Sequence, residues 1–258
     1  MMFNRIKLRT NILLHFLLVL FILTVALIGI QYYFNQQLAK EAVREKFHQT
    51  AQKVALAMRS KDTLSKEVLY QIETHPAIDV ETIEQLPSNT LRLFSATLKR
   101  YANMYAIYLG YPNGDFYEVV NMQVNAQTFK RYHAPKETRW MVIKIYDHPQ
   151  KGRIRSFTFF DNALRKLGSR DEPSSYYVTV RPWYQEALGS TRPVRSDPYM
   201  FSNFKVLGVT YSKRLKEGNT VLALDFPLQN IRQMLHSMKF SHTGDIYLFG
   251  RDTAPNSV

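Results

Sequence analysis

Arg181, Pro182, Trp183 and Tyr184 set a guanidinium two residues before an indole. An arginine among aromatic rings is suited to hold a planar carboxylate through two parallel N–H bonds, and the Trp183 indole can add a third donor. Tyr199 and Asp225 bring a phenol and a carboxylate from two further expected strands, with Tyr176 preceding the cluster. Asp225 ends the apolar run Val221, Leu222, Ala223, Leu224, and a carboxylate buried there is costly without a cation. Arginine at one end and aspartate at the other match the two poles of a zwitterion.

Each of these residues also has a plainer reading. Asp225 could pair with an internal arginine or cap a helix after Pro227, and Trp183 and Tyr184 could be core aromatics. Tyr176 and Tyr199 are two of sixteen tyrosines. Taken alone, these residues describe an α+β domain with a carboxylate pocket. Catalytic signatures are missing: there is no G-x-S-x-G, no Walker loop, no H-E-x-x-H and no dinucleotide fingerprint. Ser174 and Ser175 lie near Asp171 without a histidine beside them in sequence, so a nucleophile–base pair is not expected. The seven histidines lack ligand-like spacing. The expectation is no metal, no cofactor and no enzymatic activity.

The elements that must position the cluster follow from pattern and composition. In 258 residues, 45% hydrophobic and 21% charged, the chain has the makings of a packed core. Cysteine is absent, which excludes disulfides, thiol nucleophiles and Cys-ligated zinc. The formal charge of +13 raises nucleic acid as a partner, but the positive residues form no long run and no nucleic-acid module accompanies them, so none is expected.

Residues 12–30 are almost continuously apolar. As a helix they extend roughly 28 Å, close to the thickness of a hydrocarbon core. Tyr32 and Tyr33 follow where an interfacial aromatic belt belongs. Arg5, Lys7 and Arg9 lie closer to the span than Lys40, Arg44 and Lys46 do, which puts the N-terminus in the cytoplasm and the remainder outside. The apolar spacing from Phe34 to Met58 continues the anchor as a long helix. Asp62 or Ser65 could cap a second helical stretch ending near His75, and Asn89 a further one.

Strands are expected over 104–110 and 116–122 around the turn Pro112, Asn113, Gly114, Asp115, over 138–146 and 153–160, and over 206–211 and 220–226. The polar stretch 161–175 reads as a loop. Helices are expected over 182–188, opened by Pro182, and over 228–238, and a fresh strand over 244–249. The result is an α+β fold: one transmembrane helix continuing into a long helix, then an antiparallel sheet with flanking helices.

The order of anchor, long helix, hairpins, RPWY at 181–184, SDPYMF at 196–201, the hairpin from VTYSKRL to VLALDF, and GDIYLF at 244–249 resembles the double-Cache family of bacterial extracytoplasmic sensor domains, whose modules are PAS-like. The resemblance covers about residues 12 to 258. Tyr176, Arg181, Trp183, Tyr184, Tyr199 and Asp225 match, one by one, the spacing of the amino-acid-binding subset. The resemblance implies that Arg181 and Trp183 hold a ligand carboxylate, that Asp225 and Tyr199 hold its ammonium, and that Tyr176 and Tyr184 complete the polar box. One departure concerns the pocket mouth, since Tyr177, Val178, Thr179 and Val180 stand where many members read DPRx.

The resulting expectation is the sensor region of a transmembrane signalling receptor, single-pass in the inner membrane with its sensor domain periplasmic. It would bind a free amino acid and pair with a second copy through the long helix. The alternative is a Cache sensor for another small carboxylate or amine. The expected division is 1–11 cytoplasmic, 12–33 transmembrane, 34–242 long helix and membrane-distal module, and 243–258 the start of a membrane-proximal module.

Overall fold

The computed structural model describes residues 2–75, 78–124, 127–201, 206–216 and 218–228. The chain falls into two compact units, 1–58 and 59–258. A single helix, α1, runs from Met2 to Glu73. It contains the one segment among the described residues long and apolar enough to cross a membrane, and Leu13, Phe16, Phe21 and Leu27 on it are exposed.

No helix break occurs at Asp62 or Ser65, contrary to the expectation of a second helix capped there. The Lys66 ammonium pairs with Asp62 one turn away at 2.7 Å, and Ser65 Oγ donates to the Lys61 carbonyl at 2.6 Å. Both side chains therefore bond along the helix instead of capping a new one. The second helix, α2 (Thr90–Arg100), follows Asn89 as expected, but the Asn89 side chain makes no capping bond. A short helix, α3 (Gln127–Arg131), and α4 (Pro182–Leu188) complete the set.

The strands are β1 (Ala106–Gly110), β2 (Phe116–Asn121), β3 (Trp140–His148), β4 (Gly152–Phe160), β5 (Lys166–Pro173), β6 (Val194–Arg195), β7 (Tyr199–Met200), β8 (Leu207–Arg214) and β9 (Val221–Pro227). They form one antiparallel sheet in the order β5-β4-β3-β2-β1-β9-β8-β6, with β7 also paired to β8. The expected hairpins are present. At the β1–β2 turn the Asp115 amide donates to Asn113 Oδ1 at 3.0 Å, and Gly114 adopts φ +91°, which a glycine reaches without steric cost.

β5 corrects the reading of 161–175 as a loop. Its backbone pairs with β4 from Ile154 opposite Pro173 to Phe160 opposite Lys166. A strand at the end of a sheet is shielded by charge, so β5 lacks the apolar and aromatic residues by which strands are recognised. The helix expected over 228–238 lies, beyond Leu228, outside the described residues, as does the strand over 244–249.

Alternation along the strands splits the core between the two faces of the sheet. Ile107, Leu109, Val119, Leu222 and Leu224 pack with Leu69 of α1 and with Phe94 and Leu98 of α2. Burying each such side chain contributes roughly 1.5–3 kcal/mol. The opposite face presents Tyr108, Phe116, Ile143, Phe157 and Ala223 to Trp183, Tyr184 and Ala187 of α4. With both faces covered, β1, β2 and β9 are buried along their whole length. The expected α+β architecture is present.

Candidate functional site

Asp225 projects from β9 on the face covered by α4, where its strand neighbours are Ala106 and Thr210. Its Oδ1 accepts from Tyr108 Oη at 2.7 Å and from Thr210 Oγ1 at 2.6 Å. Thr210 Oγ1 also bonds the Tyr199 hydroxyl at 2.6 Å. Among the described residues no cation offsets the buried carboxylate. Desolvation therefore pushes its pKa up to about 7, although the two hydroxyl bonds favour the charged form. Burial, reinforced by the Asp225 charge, raises the Tyr108 and Tyr199 phenols well above their ordinary range.

Arg181 stands immediately before α4 with an extended backbone, and Pro182 occupies the first turn. Its guanidinium carbon lies 5.5 Å from the centre of the Tyr176 ring. The Tyr176 phenol is hydrogen-bonded to the Trp183 side chain, while burial pushes its pKa upward. Trp183 in turn meets Tyr108 edge to face at 5.0 Å. A continuous path of contacts thus joins the two charged residues: Arg181, Tyr176, Trp183, Tyr108, Asp225. Gly110 makes room for it, since a methyl group there would stand 2.8 Å from Trp183 Cη2.

Tyr176, Arg181, Trp183, Tyr199 and Asp225 are joined by this path and its Thr210 branch. Tyr184 is directed elsewhere. Its hydroxyl donates to the Asn219 carbonyl at 2.6 Å, which ties α4 to the β8–β9 turn, and burial pushes the phenol up to about 12. Two members of the cluster, Tyr108 and Thr210, were not anticipated. Their strands were, but only the register of β1, β9 and β8 places both hydroxyls against Asp225.

The departure at 177–180 forms a short 3-10 turn over Val178–Val180, with Val178 buried. Arg153 holds the loop beside it. Its Nε donates to the Tyr176 carbonyl at 2.7 Å, another guanidinium nitrogen donates to the Gly114 carbonyl, and the guanidinium stacks 3.9 Å from the Tyr177 ring centre.

A cavity of about 610 Å³ opens beside this loop, and Arg181 and Tyr176 form part of its wall. Arg131, Arg155, Arg170 and Glu172 line it further, whereas Asp225 and Tyr199 do not. The arginine end of the expected box thus faces open space while the aspartate end is closed off. His133, Ser174 and Ser175 are also among the residues that line this cavity. Ser174 Oγ accepts from the Tyr176 amide at 3.2 Å, and no hydrogen bond joins His133 to either serine among the described residues. No cluster of three potential metal ligands occurs among the described residues.

No family model matches the chain. The methyl-accepting chemotaxis protein PctB of Pseudomonas aeruginosa is 26% identical over 133 residues, which is 49% of this chain and 20% of that protein. The methyl-accepting chemotaxis protein TlpB of Bacillus subtilis is 30% identical over 89 residues, 34% of this chain and 13% of that protein. The matched stretches are thus a fifth or less of these relatives. Among solved structures, the ligand-binding domain of the Campylobacter jejuni chemoreceptor Tlp3, in complex with 4-methylisoleucine, aligns with a TM-score of 0.44 and 19% identity, over 71% of this chain and 57% of that one. The chain is thus similar in sequence to methyl-accepting chemotaxis proteins of bacteria, in keeping with the sensor family that its sequence resembles.

Proposed function

We propose that this chain is the extracytoplasmic sensor region of a single-pass membrane receptor and binds a free amino acid. The observation that carries the reading is Asp225, a buried carboxylate bonded, among the described residues, only to hydroxyls and linked through aromatic contacts to Arg181. An α-ammonium supplies the cation that Asp225 lacks, and Arg181 with Trp183 receives the α-carboxylate. Tyr199 assists at the ammonium end and Tyr176 lines the approach. Because Asp225 does not line the cavity, the ligand selects an arrangement in which the two ends share one space. That difference in affinity between arrangements is what allows binding to bias α1. In this scheme residues 1–11 are cytoplasmic, 12–33 span the inner membrane, 34–242 form the helix and sensor module, 243–258 begin a second module, and α1 pairs with a second copy.

A second reading, a sensor for simple carboxylates, draws on the open cavity, which exposes Arg181 and not Asp225. Calorimetry on the full chain in lipid nanodiscs, titrated with the standard L-amino acids, separates the two. The expected result is binding that both Arg181→Ala and Asp225→Ala weaken at least about thirtyfold, and that N-acetylation or amidation of the ligand abolishes. Binding undiminished in Asp225→Ala favours the carboxylate reading. Turnover of an ester or amide at Ser174 or Ser175 would favour an enzyme.

A further inference from the structure

We infer that the ligand carries a second anionic group, distinct from the α-carboxylate, and that Arg155 and Arg170 receive it in the open cavity. This rests on the amino-acid reading of the same site and names the class of side chain: a carboxylate or a phosphate.

Charge and hydrogen bonding both lead there. Four guanidinium groups, from Arg131, Arg155, Arg170 and Arg181, line the cavity, and Glu172 is the one carboxylate among its walls. Glu172 is shared: Oε1 accepts from Arg155 at 3.4 Å and Oε2 from Arg170 at 3.2 Å. These contacts are long for charge-assisted bonds, which run to about 2.7–2.9 Å, so neither arginine is tightly held by its shared partner. The Nε atoms of Arg155, Arg170 and Arg181 are all buried without a hydrogen-bond partner among the described residues. Unmet donors on guanidinium groups are costly, and the three guanidinium groups that carry them belong to side chains bordering one cavity. An α-carboxylate on Arg181 leaves the other two unanswered.

The positions of Arg155 and Arg170 are fixed by the sheet. Arg155 is opposite Glu172 and Phe157 is opposite Arg170 across the β4–β5 ladder, and the Arg170 guanidinium lies 4.5 Å from the Phe157 ring centre. These residues sit on paired strands, whereas Arg181 sits on the loop that leads into α4. A ligand between them spans from the sheet edge to the helix, and two carboxylates separated by a short aliphatic stem have that form.

The test compares near-isosteric pairs by calorimetry on the full chain in nanodiscs: L-glutamate with L-glutamine, L-aspartate with L-asparagine, and O-phospho-L-serine with L-serine, with succinate as a ligand lacking the ammonium. One acidic member is expected to bind at least about tenfold more tightly than its neutral partner. The double variant Arg155→Gln/Arg170→Gln is expected to erase that preference while still binding the neutral partner. If every neutral member binds as well as its acidic counterpart, the inference is overturned and the amino-acid reading stands. If succinate equals the best acidic amino acid, the ammonium reading falls and the second-anion inference stands. If none of the seven binds, both fall.

Discussion

Lys213 of β8 donates to Glu73 in the last turn of α1 at 2.5 Å, and both side chains are nearly sealed from water, 8% and 5% exposed. Three residues earlier on the same strand, Thr210 bonds Asp225. Thr210 and Lys213 face opposite sides of the sheet, as strand alternation requires. One short stretch of β8 therefore touches the Asp225 carboxylate on one face and the end of the long helix on the other.

Breaking the buried pair from one side leaves an uncompensated charge, which costs roughly 3–5 kcal/mol. Glu73→Gln and Lys213→Met are each expected to lower the melting temperature clearly, and the double variant Glu73→Leu/Lys213→Met to recover most of the loss. Thermal unfolding of the three variants reads this directly. A Lys213→Met protein as stable as wild type would show that the pair holds nothing together.

Asp225 is expected to make stability depend on pH and, under the proposed function, binding as well. Its pKa is about 7 in the folded chain against an ordinary 3.8, so the folded state holds this proton more tightly than the unfolded chain does. Its contribution is complete below about pH 4 and is lost as pH rises toward 7. The full displacement corresponds to on the order of 4 kcal/mol. Asp225→Asn is therefore expected to gain stability relative to wild type between pH 4.5 and pH 8. Ligand binding runs the other way, because an ammonium favours ionised Asp225. Affinity should fall as pH is lowered from 8 to 5, approaching about tenfold per unit at the acid end. An affinity constant over that range would remove Asp225 from the ammonium site.

The long helix, the hairpins and α4 were legible because each carries a local signal: an unbroken apolar run, turn residues between β-branched stretches, a proline in a first turn. β5 was not, because its reason for being a strand lies in β4 and not in its own residues. The same holds within the site. Arg181, Trp183 and Asp225 are conspicuous in type and setting, whereas Tyr108 and Thr210 matter through cross-strand register alone. Arg155 and Arg170 belong to two strands, only one of which was expected, and so could not be gathered with Arg181 from spacing. Tyr184 shows the reverse case: it fits the spacing, yet its hydroxyl serves the Asn219 carbonyl.

Gly110 sits where β1 passes under Trp183. An added Cβ would meet Trp183 Cη2 at 2.8 Å and Tyr184 Cδ2 at 3.1 Å, and both rings are buried. Overpacking of this kind costs roughly 1–3 kcal/mol. Gly110→Ala is expected to lower stability by that amount and, by displacing Trp183 from Tyr108, to weaken ligand binding. Gly168→Ala, where nothing lies within 4 Å of the new methyl, serves as the control. Equal melting temperatures for the two variants would mean that the passage under Trp183 is not tight.

The orientation of the chain in a membrane can be tested independently of any ligand. The cationic residues on either side of the apolar segment are equal in number, Arg5, Lys7 and Arg9 against Lys40, Arg44 and Lys46, so a simple count decides nothing. Proximity is the basis of the expected orientation: Arg9 precedes the apolar run 12–30 by three residues, whereas Lys40 follows that run by ten, and flanking charge acts near the ends of a span. A reporter active only outside the cytoplasm, fused after Val258, is expected to be active. Replacing Arg5, Lys7 and Arg9 together with glutamine should lower that activity, while replacing Lys40, Arg44 and Lys46 should not. Cytoplasmic reporter activity in the unmodified fusion would invert the topology and exclude an extracytoplasmic sensor.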